Sequence, residues 1–380
     1  MRQPVDIGIL LSTDGAYRHV AASALAGMRD AINEVNADPA FDFTLNGHHH
    51  NPQGQLAGYG AGMAQLMAQG IRHLFGTITS ASRKEIIPDL EQQNALLWYA
   101  CPYEGYESSE HVIYLGGCPN QTLLPILRLA LATFGTRGYL IGSNYVWGWE
   151  SNRIAREIIE AAHGDVTGEK YLHLAGARPQ DLIGPLLDSK PDFVLNNLVG
   201  ESSYDFLQQL DAACLLRGLE LPVLSCNLSE AELGPIGDMR ALRLLSCGPF
   251  FEAADPAFCA AQRRRHRGIM RYSHHYTGGY LSVMLFARAR RQTGCDDPQR
   301  ICEALYRDEN VTFMGPMKIS RRNNHCHLPC HIAELRHGAF RLIHSEPQRL
   351  APDPYLTATD LRECLPARPH PGGHLLRIVK

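Results

Sequence analysis

Short apolar runs alternate with longer amphipathic stretches along most of the chain. Runs of about four to eight apolar residues are typical of buried strands, and apolar positions three or four residues apart are typical of helices. The pattern predicts these strand and helix pairs: 5–10 with 17–35, 71–75 with 82–93, 139–141 with 149–162, 193–195 with 203–216, and 223–225 with 229–233. Strands that alternate with helices indicate parallel sheets built from βαβ units.

The strand and helix series occurs twice, over residues 5–99 and 139–245, and this repetition predicts two lobes of similar topology. A length of 380 residues also favours two cores over one. We expect the chain to cross between lobes near residues 119–120 and 247–249, and the helix predicted at 279–293 to return to the first lobe. The segment 367–380 is rich in Pro, Gly and His and is predicted to be a loose tail.

Composition narrows the class of protein. The formal net charge of -3 gives no general attraction to nucleic acid or to anionic membranes, and no apolar run approaches the ~20 residues of a membrane helix. The eleven cysteines are scattered and odd in number, which favours reduced thiols. The N-terminal sequence MRQPVDIGILLS reads as a first strand and not as a signal peptide, so we expect a cytoplasmic location.

Candidate chemistry lies after the apolar run at 95–98, in the sequence YACPYEGYE at 99–107. Ligands of open α/β sheets bind outside the carboxyl ends of strands, and aromatic walls with few polar groups suit a small, mostly neutral ligand. Tyr103 is therefore a candidate contact. An aromatic turn with no ligand is the alternative, and this stretch alone does not decide between them.

A helix start at residues 79–85 is the second candidate. Ser82 followed by Glu85 forms a capping-box pattern. The free N–H groups of such a first turn can bind a carbonyl or carboxylate oxygen in a cleft. An ordinary helix start with Arg83 and Lys84 in solvent is the simpler interpretation.

These segments resemble the amide- and urea-binding branch of the type I periplasmic-binding-protein folds, and within it the amide-sensing negative regulators of aliphatic amidase operons. The resemblance covers roughly residues 5–355 and depends on the order and spacing of several segments. They are GTITSASRKEIIP at 76–88, CPYEGYE at 101–107, GSNYVWGWESNRIAREI at 142–158, SCNLSEAEL at 225–233, NNH at 323–325 and PDPY at 352–355.

The resemblance implies a two-lobe α/β fold in which each lobe is a mainly parallel sheet flanked by helices, with the ligand in the cleft between the lobes. It adds a third crossover near residues 323–329. The first lobe would then comprise residues 1–119 and about 249–325, and the second lobe 120–248 and about 326–366. The implied ligand-binding positions are Ile78, Ser80, Tyr99, Cys101, Pro102, Trp147 and Asn227.

Three positions depart from the family pattern, because Cys101 stands in place of threonine, and Trp147 and Ile78 stand in place of tyrosines. Each change removes a hydroxyl or replaces it with a weaker group. An unpaired buried polar group costs about 1–3 kcal/mol, so we expect a ligand that is less polar than acetamide or differently shaped.

Other chemistries find less support in the sequence. The segment HCHLPCH at 325–331 contains zinc-ligand residue types, but alternate side chains of an extended segment point to opposite faces, so we predict no metal and no cofactor. The basic run at 263–267 with Arg271 is read as a solvated helix face, so direct binding to nucleic acid is not expected. No nucleophile elbow, phosphate-binding loop or zinc-protease motif is present, and no enzymatic activity is predicted.

The sequence thus predicts a cytoplasmic sensor that closes on a small amide-like ligand. By resemblance its partner is an RNA-binding transcription antiterminator. The alternative is the solute-binding component of an ABC importer for urea, amides or branched-chain amino acids. A thiol-dependent amide hydrolase that uses Cys101 is a third possibility. A homo-oligomer and the identity of the ligand stay open.

Overall fold

The structure is a computed structural model that describes residues 2–174, 178–266, 271–307 and 310–361. The tail predicted at 367–380 lies outside these residues. The first part of the chain forms β1 (Gln3–Leu10), α1 (Arg18–Ala37), β2 (Phe43–His50), α2 (Leu56–Ala68), β3 (His73–Gly76), α3 (Ser80–Gln92), β4 (Leu96–Tyr99) and β5 (Val112–Tyr114). The second part forms α4 (Leu123–Thr133), β6 (Arg137–Ser143), α5 (Val146–Ala161), β7 (Asp165–Leu172), α6 (Gln180–Asp188), β8 (Phe193–Asn197), α7 (Glu201–Arg217), β9 (Leu221–Ser225), α8 (Leu233–Ile236) and β10 (Leu242–Gly248). The third part forms α9 (Pro256–Arg265), α10 (His274–Thr293), α11 (Pro298–Arg307), β11 (Asn310–Thr312), β12 (Gly315–Met317), β13 (His331–Arg336) and β14 (Ala339–Ser345).

Two separate sheets form the two lobes. The first has five parallel strands in the order β2-β1-β3-β4-β5. The second has seven strands in the order β14-β13-β10-β9-β8-β6-β7, and its only antiparallel pairs in the described part of the chain are β10 with β13 and β13 with β14. Each sheet is therefore mainly parallel, as predicted. The exact domain boundaries stay a prediction.

Every strand predicted from an apolar run is present. The helices α3, α5, α7 and α10 begin two to five residues before the predicted positions, and α1 begins one residue after its predicted position. The helix α2 was not predicted. Its sequence LAGYGAGMAQLMA contains three glycines, which weaken helix propensity by about 1 kcal/mol each. Two of them are required by packing, because a Cβ at Gly58 would lie 2.9 Å from the Pro52 carbonyl oxygen and one at Gly62 would overlap the His50 ring.

The helices α1 and α10 pack closely in the first lobe. A Cβ at Gly27 would lie 2.0 Å from the carbonyl oxygen of Tyr276, and one at Gly279 would lie 2.3 Å from the carbonyl oxygen of Ala24. The Tyr276 hydroxyl donates a 2.7 Å hydrogen bond to the buried carboxylate of Asp30. The return of α10 to the first lobe therefore depends on two glycines.

Two further observations concern the helices and the cysteines. No helix in the described ranges combines the length and apolar character needed to cross a membrane. All ten cysteines in those ranges are free thiols, although the sulfur atoms of Cys247 and Cys330 lie 3.7 Å apart.

Candidate functional site

The carboxyl ends of the parallel strands in both sheets face a common cavity. From the first lobe, the loops after β3 and β4 reach it, and from the second lobe the segments after β6, β8 and β9. The cavity volume is about 40 Å³, and one water molecule needs about 10–15 Å³ by the same measure. The enclosed space therefore suits a compound of only a few non-hydrogen atoms.

Six of the eight residues predicted to contact the ligand line this one cavity. They are Ile78, Ser80, Cys101, Pro102, Trp147 and Asn227. They come from four segments that are distant in the chain, and the two sheets bring them together. Their role as ligand contacts stays a prediction.

The structure places the other two, Tyr99 and Tyr103, outside the cavity wall. Both are buried, and both rings lie 4.6 Å from the guanidinium carbon of Arg83. Such contacts between a cation and an aromatic face are favourable, more so when desolvated. The tyrosines therefore hold Arg83, and the hydroxyl of Tyr103 also bonds to His325 and to the Glu107 carbonyl oxygen.

Arg83, in the first turn of α3, is fully buried. Its guanidinium donates two hydrogen bonds to the carboxylate of Glu107, at 2.6 and 3.2 Å, and Lys84 donates a third at 2.6 Å. Burial by itself raises the pKa of Glu107, but the adjacent cations outweigh it and hold this pKa at about 2. A fixed ion cluster thus supports the first-lobe wall from behind.

The start of α3 differs from the predicted capping box. Thr79 is the N-cap residue, its side chain accepts a hydrogen bond from the Ser82 backbone N–H, and the Ser82 hydroxyl pairs reciprocally with the Thr79 backbone. The box is therefore Thr79 with Ser82, and Glu85 takes no part. Because the cap lies three residues earlier, Ser80 becomes the first helical residue, at the cavity wall.

Ser80 is oriented by a residue that the family pattern did not single out. Its hydroxyl donates a hydrogen bond to the buried carboxylate of Glu104, and Arg83 and Lys84 each lie 3.6 Å from the other oxygen of this carboxylate. A hydroxyl has one donor and two acceptor positions. Since Glu104 takes the proton, Ser80 offers the cavity an acceptor.

The second lobe contributes a donor. Trp147 lies at the start of α5, is buried, and has an indole N–H without a hydrogen-bond partner among the described residues. Buried Trp N–H groups usually have a partner, so this group is a candidate donor to a ligand in the cavity that Trp147 lines. Asn227, in the loop after β9, accepts a 2.8 Å hydrogen bond from Ser225 through its amide oxygen.

The titratable groups at the cavity carry little positive charge. None of the described residues that line it is a lysine or an arginine. Burial lowers the pKa of His275 to about 4, so this ring is neutral at physiological pH. Burial raises the pKa of the Cys101 thiol to about 12 and that of the Glu232 carboxyl to about 7. Neither His275 nor Glu232 was predicted to line the cavity. Glu232 lies within the segment SCNLSEAEL, whereas no sequence pattern indicated His275.

Contacts between the lobes border the cavity. The Tyr17 hydroxyl of the first lobe donates a 2.6 Å hydrogen bond to the Tyr145 hydroxyl of the second, and both residues line the cavity. Gly200, with φ of 61°, approaches so closely that a Cβ there would lie 2.1 Å from the carbonyl oxygen of Ala16. The lobes are thus described in their closed arrangement.

The histidine- and cysteine-rich segment at 325–331 does not converge on a metal site. His325 stacks on Tyr114 with ring centroids 4.1 Å apart, Cys330 lies beside Cys247, and His331 bonds to Ser345. The described residues contain no group of three or more potential ligands arranged to hold a metal ion.

The described part of the basic run ends α9 and is paired with acidic groups. Arg263 lies 3.0 Å from Glu252, and Arg265 lies 3.3 Å from Glu34. Arg267, the last residue of the run, lies outside the described residues. Such pairing lowers the positive field that binding to nucleic acid requires.

Comparison with known proteins agrees with this architecture. A family model described as a periplasmic binding protein domain matches residues 5–361. The solute binding protein of an ABC transporter from Rhodopseudomonas palustris HaA2, in complex with p-hydroxybenzoic acid, superposes with a TM-score of 0.83 at 16% identity, over 94% of this chain and 100% of that one.

Two further solved structures are similar. An ABC transporter substrate-binding protein from Sphaerobacter thermophilus gives a TM-score of 0.77 at 19% identity, over 91% of this chain and 99% of that one. A leucine binding protein from Thermotoga maritima MSB8 gives a TM-score of 0.77 at 12% identity, over 90% of this chain and 98% of that one. At these identities the likeness shows the fold, and it confirms the predicted type I two-lobe α/β architecture. Because the family model spans nearly the whole described chain, this protein belongs to the periplasmic binding protein domain family.

Proposed function

We propose that this protein encloses a small amide or a related compound with N–H groups in the cavity between its lobes. The observation that carries the proposal is the polarity of the two walls. Ser80 offers an acceptor because Glu104 holds its proton, and Trp147 offers an unpaired N–H donor. A primary amide has both complementary groups, an N–H donor and a carbonyl acceptor, on a few atoms.

The size and charge of the cavity support the same ligand class. A volume of about 40 Å³ leaves little room for an aromatic ring that bears a carboxylate. A buried carboxylate is normally paired with a cation, and no described residue that lines the cavity is a lysine or an arginine. Benzoates, which several structural neighbours bind, therefore suit this cavity poorly.

The hydroxyls missing at Ile78, Cys101 and Trp147 had indicated a less polar ligand. Two residues that the sequence did not single out, Tyr17 and Tyr145, also line the cavity, and their hydroxyls bond to each other. We therefore propose that simple amides remain within its range.

Isothermal titration calorimetry with acetamide, propionamide, benzoate and leucine tests this proposal. We expect binding of the amides and none of benzoate. W147F, which keeps the aromatic ring and removes the N–H, should weaken amide binding about 2- to 13-fold, the equivalent of one net hydrogen bond of about 0.5–1.5 kcal/mol.

W149F is the matched control, because Trp149 lies on the same helix, is exposed, and donates its N–H to Asn144 outside the cavity. Equal affinity of wild type, W147F and W149F for acetamide, or tight binding of benzoate alone, would contradict the proposed ligand class.

The biological role of ligand binding has two candidates, a cytoplasmic sensor and a component of an importer. Motif resemblance supports a cytoplasmic sensor in which the ligand releases an RNA-binding antiterminator. The structural neighbours support the alternative better, because they are solute-binding or substrate-binding proteins of ABC transporters. In either role closure of the lobes on the ligand is the signal.

Fractionation of native cells separates the two roles. An antibody against the chain should detect it in the cytoplasm if it is the sensor and in the periplasm if it serves an importer. A sensor should also co-purify with an RNA-binding partner without amide and release it when amide is added.

A hydrolase that uses Cys101 receives less support. The Cys101 sulfur lies 3.9 Å from Nδ1 of His275, a pairing that the sequence did not indicate. Burial nevertheless raises the pKa of the thiol to about 12 and lowers that of the histidine to about 4, so the reactive thiolate is scarce. We propose that the protein is not an enzyme, and recovery of intact acetamide after long incubation is the expected result.

A further inference from the structure

Glu232 forms part of the second-lobe wall of the cavity and has no role in the function proposed above. It ends a short 3-10 helix, Glu230–Glu232, and is almost fully buried. One carboxylate oxygen accepts a 3.0 Å hydrogen bond from the Ser229 backbone N–H, and the other lies 3.3 Å from the Tyr204 hydroxyl. These contacts fix the orientation of the carboxylate.

The carboxylate retains acceptor capacity after these contacts. Two carboxylate oxygens offer about four acceptor positions, and the described partners are the Ser229 backbone and hydroxyl and the Tyr204 hydroxyl. Together with Ser80, Glu232 gives the cavity hydrogen-bond acceptors on both walls.

No lysine or arginine among the described residues that line the cavity offsets the charge of Glu232. The groups that face it across the cavity or behind Tyr204 are the neutral ring of His275, the hydroxyls of Tyr17 and Tyr145, and the imidazole of His19. Arg18, next to His19 in the chain, is paired at 2.6 Å with Glu201, and both side chains are exposed.

We propose that Glu232 determines specificity by accepting N–H groups of the ligand and by favouring a small planar cation over its neutral isostere. The ligands so favoured are of the amidinium or guanidinium type, and carboxylates are excluded. This inference rests on the proposed function, because it requires that the cavity be the ligand site.

The ionisation of Glu232 adds a pH dependence. Burial raises the pKa of this carboxyl to about 7, although the hydrogen bonds from Ser229 and Tyr204 lower it. Above that pH the group is a carboxylate that attracts a cation, and below it the proton must be displaced. Affinity for a cationic ligand should therefore rise about tenfold from pH 6 to pH 8 and then level off.

The test uses calorimetry on the full chain with acetamide, acetamidinium, urea, guanidinium and acetate at pH 6 and pH 8. At pH 8 we expect acetamidinium to bind at least about tenfold more tightly than acetamide, and acetate not to bind. E232Q, which keeps the shape of the side chain, should abolish both the preference for the cation and its pH dependence.

E230Q is the matched control. Glu230 is equally buried in the same turn, but it lies outside the cavity lining and accepts a 2.8 Å hydrogen bond from the Glu252 backbone. E230Q should keep the wild-type preference for acetamidinium over acetamide at pH 8.

The outcomes separate the two proposals. Acetamide binding with no preference for acetamidinium in the wild type, or with a preference that E232Q retains, overturns the assignment of Glu232 and leaves the proposed function standing. Failure of all five compounds to bind the wild-type chain overturns both. The wild-type measurements at two pH values decide the question even if E232Q does not fold.

Discussion

Glu107 neutralises the buried guanidinium of Arg83, and its replacement by glutamine tests how far this ion cluster stabilises the first lobe. The carboxylate accepts hydrogen bonds from Arg83, Lys84 and the Tyr114 hydroxyl, all at 2.6 to 3.2 Å. E107Q keeps the shape of the side chain but leaves a buried cation with a weaker partner. Loss of one member of a buried ion pair costs about 3–5 kcal/mol.

The pKa of Glu107 gives an independent magnitude. It falls from 4.5 to about 2 in the folded protein, which corresponds to about 3 kcal/mol of stability. Because the folded pKa is depressed, this stability is present above pH 4.5 and is lost as the pH falls toward 2. We therefore expect E107Q to lower the free energy of unfolding by about 3 kcal/mol at pH 7 and by roughly half as much at pH 3.

Urea denaturation followed by tryptophan fluorescence at pH 7 and pH 3 measures this difference. E110Q is the matched control, since Glu110 is exposed on the same loop and no described ion pair involves its side chain. If E107Q loses less than about 1 kcal/mol relative to E110Q at pH 7, or loses the same amount at both pH values, the reasoning from the buried pair is wrong.

Three further predictions concern packing and closure. G200A should weaken acetamide binding about tenfold or more in calorimetry, because a side chain there keeps the lobes apart. The control G218A should not weaken binding, because Gly218 has a similar φ of 64° and open space around it. G27A should lower the free energy of unfolding in urea by about 1–3 kcal/mol through overlap between α1 and α10, whereas G60A, an open helical position in α2, should raise it by about 0.5–1 kcal/mol. Y145F removes the hydroxyl bridge between the lobes and should weaken acetamide binding about 2- to 13-fold; an unchanged affinity would show that the bridge does not assist closure.

Much of the fold could be predicted from the sequence because it depends on local patterns. Alternating apolar runs and amphipathic stretches gave the βαβ units and both parallel sheets, since burial on one face sets a period that is visible in the chain. The glycine-rich helix α2 and the antiparallel strands β13 and β14 were not predicted, because packing against distant segments stabilises them more than local propensity does.

The candidate site was only partly visible. Motif resemblance located six residues that line one cavity, including Ser80, Cys101 and Trp147, because these lie in short segments next to strand ends. It assigned Tyr99 and Tyr103 to the ligand, whereas the structure uses both rings to enclose Arg83.

The sequence by itself determined the order of the elements, the two-lobe architecture and the strand ends that carry the site. Only the tertiary structure decided which polar groups donate and which accept hydrogen bonds at the site. Ser80 bonds to Glu104, 24 residues away in the chain, and Tyr17 bonds to Tyr145, 128 residues away. Burial then sets the charge of Glu232 and the protonation of Cys101. The physical reason is that hydrogen-bond direction and pKa depend on neighbours in space and on desolvation, and neither is encoded in local spacing.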